Sequence, residues 1–351
     1  MQNIASTSNP NMIPIPIPIP IPTPTPTPIA TPIATPIVAV IGTGGTIAGT
    51  SANPADNVGY SAAQLGAAQL VAAIPALAGF PIEVEQLAQI DSKDMGFALW
   101  RALAERVAQQ LARPEVGGVV ITHGTDTLEE TAYFLQRVLG PRKPVVLTAA
   151  MRPATALLSD GPQNLLDAVR VARMPGASAV LAVLAGTVHS ALDVRKLHTY
   201  RLDAFGSGDA GPIGHLEEGR LRQHRPWPQA QDQALGLARL PLDVSTWPRV
   251  EVLMSCAGAD GRLVNALRSA GARGIVVAGT GNGSLHHELE AALLEAQADG
   301  IKVLRSTRCP QGGVVEAGAA AQPALSRPGL PSAGNLTPAQ ARIELMLSLL
   351  P

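Results

Sequence analysis

The chain has 351 residues, 46% of them hydrophobic and 15% charged, with a formal net charge of −1. That length and apolar content support a large core and two domains rather than one, while the even charge balance excludes a polyanion-binding surface and, with it, nucleic acid as an expected partner. Cys256 and Cys309 are too few for a disulfide framework and are read as free thiols at strand ends.

Residues 1–36 form a separate regime, with proline at 10, 14, 16, 18, 20, 22, 24, 26, 28, 32 and 36, mostly alternating with Ile, Thr and Ala. Proline at every second position removes amide donors and forbids helix, so an extended polyproline-type or disordered arm is expected, and not a membrane span. No Lys or Arg precedes Lys93, so a basic signal-peptide n-region is missing and a cytoplasmic protein is expected, with a periplasmic one as the alternative.

The apolar run 37–41 then breaks into Gly42-Thr43-Gly44-Gly45-Thr46-Ile47-Ala48-Gly49. This reads as a buried strand that delivers Thr43 and Thr46 at its carboxyl end. A surface loop over 50–59 and Tyr60 follow, with helical spacing over 61–74. Next come a strand over 82–87, a turn over 89–95, and an amphipathic helix over 96–111 with apolar residues at 99, 103, 107 and 111. A strand over 117–122 ends in His123-Gly124-Thr125-Asp126-Thr127 before a helix over 128–139. Strands over 144–148 and 178–185, separated by a helix over 163–173, continue the alternation.

The pattern then lapses, and 221–248 reads as a linker. It resumes with strands over 250–254, 274–278 and 301–305, helices over 262–270, 286–298 and 338–350, and a long Ala-, Gly- and Pro-rich loop over 311–335. The expected fold is therefore α/β: a larger domain over 37–220 with a mostly parallel, doubly wound sheet, and a smaller α/β domain over 249–351.

Ligands in open α/β sheets bind outside the carboxyl ends of the strands, so the Gly44 and Gly124 loops are candidates to line one pocket. Gly42-Thr43-Gly44 is not a dinucleotide fingerprint, because Ile47 stands where glycine or alanine is needed. No cofactor is expected, and no His/Cys/Asp spacing resembles a metal site. A threonine hydroxyl is a poor nucleophile at neutral pH and needs a base or a relay. Thr125, Asp126 and Lys196 offer one, since a lysine held by a carboxylate can exchange a proton through an intervening hydroxyl. Lys196 adjoins Arg195, however, and a solvated surface cation is an equal reading. Thr46, on the flexible loop near Tyr60, competes with Thr125 for the nucleophile's role, and chemistry alone does not choose. Thr127 and Glu130 make a capping-box pattern, which assigns part of the acidity to the helix start. His123 reads as a packed structural residue.

TGGTIAG at 43–49 together with ITHGTDTLEETAYFL at 121–135 resembles the bacterial asparaginase/glutaminase family, from about Ile37 to the C-terminus. The resemblance implies an L-asparaginase in which Thr46 attacks the side-chain amide, Tyr60 polarises it, ammonia leaves and water releases aspartate. L-Glutaminase side activity is a variant of the same class. It further implies that Thr125, Asp126 and Lys196 activate the water. Ser92 and the Thr125 backbone would hold the substrate carboxylate, and Asp126 its ammonium. Asn282 would be lent across a subunit interface within a homotetramer. Glu316 is the one acid available in 311–335 for a residue donated by a neighbouring subunit, although its spacing departs from the family's pattern. Lys93 stands where many members carry glutamine, a cation that would repel an α-ammonium unless paired with Asp91 or Asp94. The alternative reading is a non-catalytic amino-acid-binding protein that retains the pocket.

Overall fold

The computed structural model describes residues 36–228, 234–316 and 329–351. The proline-rich arm thus lies outside the described residues, apart from Pro36, as do parts of the expected linker and of the 311–335 loop.

Strand β1 (Ile37–Gly44) leads through a short helix α1 (Ala67–Ala72) to β2 (Ile82–Ile90), followed by α2 (Phe97–Ala112), β3 (Val116–Thr122), α3 (Leu128–Leu139), β4 (Val145–Thr148), α4 (Gly161–Val171) and β5 (Val180–Leu184). Alternate residues of the central strands supply opposite layers, as the two-residue period of a strand requires. Ala39, Ile41, Val119 and Ile121 join α2 and α3 in one core, whereas Val38, Val40 and Val120 join α4 in the other. Both faces being covered, the strands read as continuous apolar runs. The helix expected over 61–74 is shorter because Ala63 adopts a positive φ of 56° and Gly66 caps the start.

After β5 the chain changes character. Strands β6 (Thr187–Ser190), β7 (Arg195–Lys196), β8 (Phe205–Gly206), β9 (Gly214–Glu217) and β10 (Arg220–Gln223) are short. The main sheet has the order β10-β9-β6-β5-β4-β3-β1-β2, parallel from β2 to β5 and antiparallel from β5 to β10. The stretch from 221, expected as linker, therefore opens inside the sheet, because Leu221 pairs with Leu216. β7 and β8 form a separate two-stranded ribbon.

The smaller lobe holds β11 (Val250–Met254), α5 (Arg262–Ser269), β12 (Gly274–Gly279), α6 (His287–Ala298), β13 (Lys302–Thr307) and α7 (Pro338–Ser348), its three strands parallel in the order β11-β12-β13. Cys256 and Cys309, just beyond β11 and β13, are free thiols as expected, and both are exposed. α7 starts with a full capping box between Thr337 and Gln340 and with Pro338 in its first turn. Its Ala341, Ile343 and Leu345 share one core with Phe134 and Val138 of α3. Phe97 stacks on Trp247 at 5.3 Å and Trp100 on Phe134 at 4.8 Å, extending that joint core with aromatic contacts. Among the described residues no helix is long and apolar enough to cross a membrane.

Candidate active site

β1 and β3 lie side by side in the sheet, with Gly42 opposite Thr122. Their loops consequently leave the same edge together. Gly44 and Gly45 turn with φ of 107° and 83°, values that favour glycine. A Cβ on Gly45 would come within 3.0 Å of the Gly124 backbone, so the loops approach this closely because Gly45 lacks a side chain.

Thr46 opens a single turn of helix beyond Gly45 and is nearly buried. Its Oγ1 lies 2.6 Å from the Tyr60 hydroxyl. Tyr60 sits just inside a closed loop whose base is a two-bond antiparallel bridge, Thr50 N–H to Ser61 O and Ser61 N–H to Thr50 O, each 2.9 Å. Gly49 leaves room for its ring, since a Cβ there would meet Tyr60 Cδ2 at 2.9 Å. The loop is tied internally by Asp56, whose carboxylate accepts the Val58 and Gly59 amides and is held below its usual pKa by them.

The second threonine has a different partner. Lys196 Nζ donates to Thr125 Oγ1 at 2.8 Å and to Asp126 Oδ1 at 2.6 Å. Thr125 is buried, the Lys196 side chain is 21% exposed and that of Asp126 54% exposed, so the amine is held by two partners. Ser92, from the turn after β2, is buried; its Oγ accepts the Asp126 N–H at 3.2 Å and its carbonyl accepts the Thr127 hydroxyl at 2.8 Å. Thr127 therefore makes no side-chain cap on α3, and Glu130 faces Arg342 at 3.9 Å. The expected capping box gives way to these longer-range contacts. A hollow of about 460 Å³, lined by Asp126, Glu129, Lys196, Leu197, His198 and Thr199, opens beside the group.

His123 is fully buried, and its Nδ1 lies 2.7 Å from the Gly124 carbonyl. A carbonyl only accepts, so Nδ1 carries the proton and Nε2 accepts the Thr131 hydroxyl at 3.0 Å; Thr131 Oγ1 in turn accepts the Trp100 indole N–H at 2.9 Å. Burial pushes the imidazole pKa down to about 4, so the ring is neutral and structural, as expected.

Asn282 and Glu316 belong to the smaller lobe. The Asn282 amide donates to Val315 O at 2.8 Å and accepts Val315 N–H at 2.7 Å, while Glu316 stands 4.0 Å from the guanidinium of Arg305. Among the described residues neither is hydrogen-bonded to the two threonine groups. Lys93 pairs with Asp94 at 2.5 Å, both exposed, and that hydrogen bond raises its pKa. Two residues were missed in the sequence: Glu129, which accepts the Lys196 backbone N–H at 2.5 Å, and Arg195, which donates to Pro310 O at 3.0 Å and Asn335 O at 3.3 Å. The Glu129 contact joins a side chain to a backbone group 67 residues away, which no local pattern reveals.

Residues 37–229 match the family model of the asparaginase N-terminal domain, and residues 249–350 that of the glutaminase/asparaginase C-terminal domain. The chain belongs to the asparaginase family. A glutaminase-asparaginase of Pseudomonas fluorescens biotype A is 37% identical over 88% of this chain and 85% of its own length. L-asparaginase 2 of Escherichia coli (strain K12) is 37% identical over 88% of each. A crystal structure of a probable cytoplasmic L-asparaginase from Campylobacter jejuni has a TM-score of 0.82 at 36% identity, covering 90% of this chain and 95% of that one. The two-domain α/β architecture is thus that of the asparaginase family, in both of its lobes.

Proposed function

We propose that the protein is an amidohydrolase that converts L-asparagine to L-aspartate and ammonia through an acyl-enzyme on Thr46, with L-glutamine as a slower substrate of the same chemistry. One observation carries the reading: two threonine hydroxyls on touching loops have complementary partners, Tyr60 at 2.6 Å from Thr46 and the Asp126-held Lys196 at 2.8 Å from Thr125. The names of the relatives support the substrate. Thr46 Oγ1 bonds to the side-chain amide carbon, its proton passes by way of Tyr60 to the leaving nitrogen, the C–N bond breaks, and ammonia departs. Water then adds to the ester carbon, one of its protons passing through Thr125 Oγ1 to Lys196 in its amine form and from there back to the Thr46 oxygen as the ester C–O bond breaks, so that aspartate leaves and the Thr46 hydroxyl is restored. Charge developing on the carbonyl oxygen is met by backbone N–H groups of the glycine loops, a type of donor whose loss typically costs on the order of 100-fold in rate.

Ser92 and the Thr125 amide take the α-carboxylate, and Asp126 the α-ammonium. Asn282 and Glu316 serve a neighbouring subunit's site within a homotetramer, in keeping with their place apart from Thr46. A cytoplasmic location accords with the description of the Campylobacter protein.

Ammonia release from L-asparagine, L-glutamine and D-asparagine, with Thr46→Ala alongside, tests the reading. Release from L-asparagine that disappears in the variant is expected. Aspartate binding by calorimetry with no ammonia from any amide would overturn it in favour of an amino-acid-binding protein.

A further inference from the structure

We propose that Glu129 is a positioning residue that sets the Lys196 amine over Thr125 by gripping the Lys196 backbone N–H. The inference rests on the reading of Lys196 as a member of the proton relay.

Lys196 occupies an unpromising support. β7 is two residues long and, among the described residues, pairs with β8 alone, outside both larger sheets. On the β8 side the ribbon continues through Leu197 N–H and His198 N–H, which both donate to Ala204 O, at 2.7 and 3.1 Å. The Lys196 N–H is left for the other edge, where no strand lies among the described residues. A partly buried amide left there would forfeit a hydrogen bond and let the ribbon twist. Glu129 Oε2 accepts it at 2.5 Å.

Glu129 is the second residue of α3, whose first residue follows directly on the Thr125-Asp126-Thr127 loop. A single stiff segment of five residues thereby supplies all three polar partners of Lys196: Thr125 Oγ1 and Asp126 Oδ1 for the amine, Glu129 Oε2 for the backbone. Holding both ends of a four-carbon side chain from one rigid element removes most of its freedom, which is what a proton relay over less than 3 Å needs. A carboxyl group is suited to the position, because it sits in the first turn of a helix and its oxygen can accept an N–H; burial pushes its pKa up, and the bond from the Lys196 N–H opposes that shift. The neighbouring Arg195 adds a second tie, from its guanidinium to Pro310 O and Asn335 O.

The test compares Glu129→Ala and Glu129→Gln in the full chain. Glu129→Ala is expected to lower kcat on L-asparagine about 10- to 100-fold with KM unchanged within about twofold, the size of effect a misplacement of about 1 Å produces. Glu129→Gln, whose amide oxygen still accepts the N–H, is expected to recover most of that loss. An unchanged kcat in Glu129→Ala, or a Glu129→Gln no better than Glu129→Ala while both melt like the parent, would overturn the proposal. Should the parent chain release no ammonia, the functional reading fails on its own, and the grip is then read from acylation of Lys196 by acetic anhydride, followed by peptide mass mapping across the four lysines of the chain. Faster labelling of Lys196 in Glu129→Ala than in the parent or in Glu129→Gln supports the grip; equal rates overturn it.

Discussion

Gly45 and Gly124 meet backbone to backbone, so close that neither tolerates a Cβ: one on Gly45 would come within 3.0 Å of Gly124, and one on Gly124 within 3.0 Å of Ser92 Oγ. This apposition brings the Thr46 turn and the Thr125 turn to one place. Gly124→Ala is expected to push Ser92 off the Asp126 amide, destabilise the protein by about 1–3 kcal/mol, the usual cost of overpacking, and lower kcat/KM at least tenfold. Denaturant melts and ammonia assays on the same preparation check both parts.

Tyr60→Phe removes the oxygen that lies 2.6 Å from Thr46 Oγ1 and leaves the ring against Gly49. The expected result is a fall in kcat of about 100-fold, the low end of what a positioned proton-transfer group supplies, with the melting temperature unchanged. Steady-state kinetics beside a thermal melt decide it, and full activity in the variant would remove Tyr60 from the reaction.

Lys93 is held by Asp94 on an exposed turn, so its charge is already neutralised before a substrate ammonium arrives. Lys93→Gln is therefore expected to change KM for L-asparagine by less than about twofold at physiological salt, where exposed charges are screened beyond about 8 Å. Lys93 belongs at the substrate if KM shifts strongly and the shift grows at low ionic strength.

Stability is expected to fall as the pH drops from about 6.5 toward 4. His123 and His189 are buried, and burial pushes both pKa values down to about 4 from an ordinary 6.5. Between those limits the unfolded chain binds more protons than the native one, so the native state loses ground as the pH falls and pays no such penalty above 6.5. Each histidine accounts for up to about 3 kcal/mol of the difference. Urea titrations at pH 7, 5.5 and 4.5 measure the slope, which His189→Asn should flatten; an unaltered slope would assign the dependence to other groups.

The parallel half of the fold was legible because its signals are local and strong. Buried strands announce themselves by apolar runs such as Ile37-Val38-Ala39-Val40-Ile41, and α3 spans Leu128–Leu139 as its spacing predicts. The antiparallel half was not, since β6 to β10 are two to four residues each, several of them charged, and owe their shape to partners rather than to their own sequence. The same division runs through the site. Thr46 and Thr125 stand in long motifs, and Lys196 was visible as a candidate. Thr127 was misread as a cap, because its hydroxyl goes 35 residues back in sequence to Ser92. Glu129 goes unnamed in the sequence reading, because a side chain that binds an amide 67 residues away leaves no trace in local spacing.

The bridge between Thr50 and Ser61 has a consequence for how the chain can vary. Because the two amides close the loop at its base, the position of Tyr60 is set there and not by the residues between, whose tip includes the exposed Val58. Lengthening the tip would cost little, since doubling a flexible loop adds only about 0.6 kcal/mol of closure entropy. The segment can therefore be rewritten, in nature or at the bench, to grip larger or differently charged amides while the phenol keeps its station over Thr46.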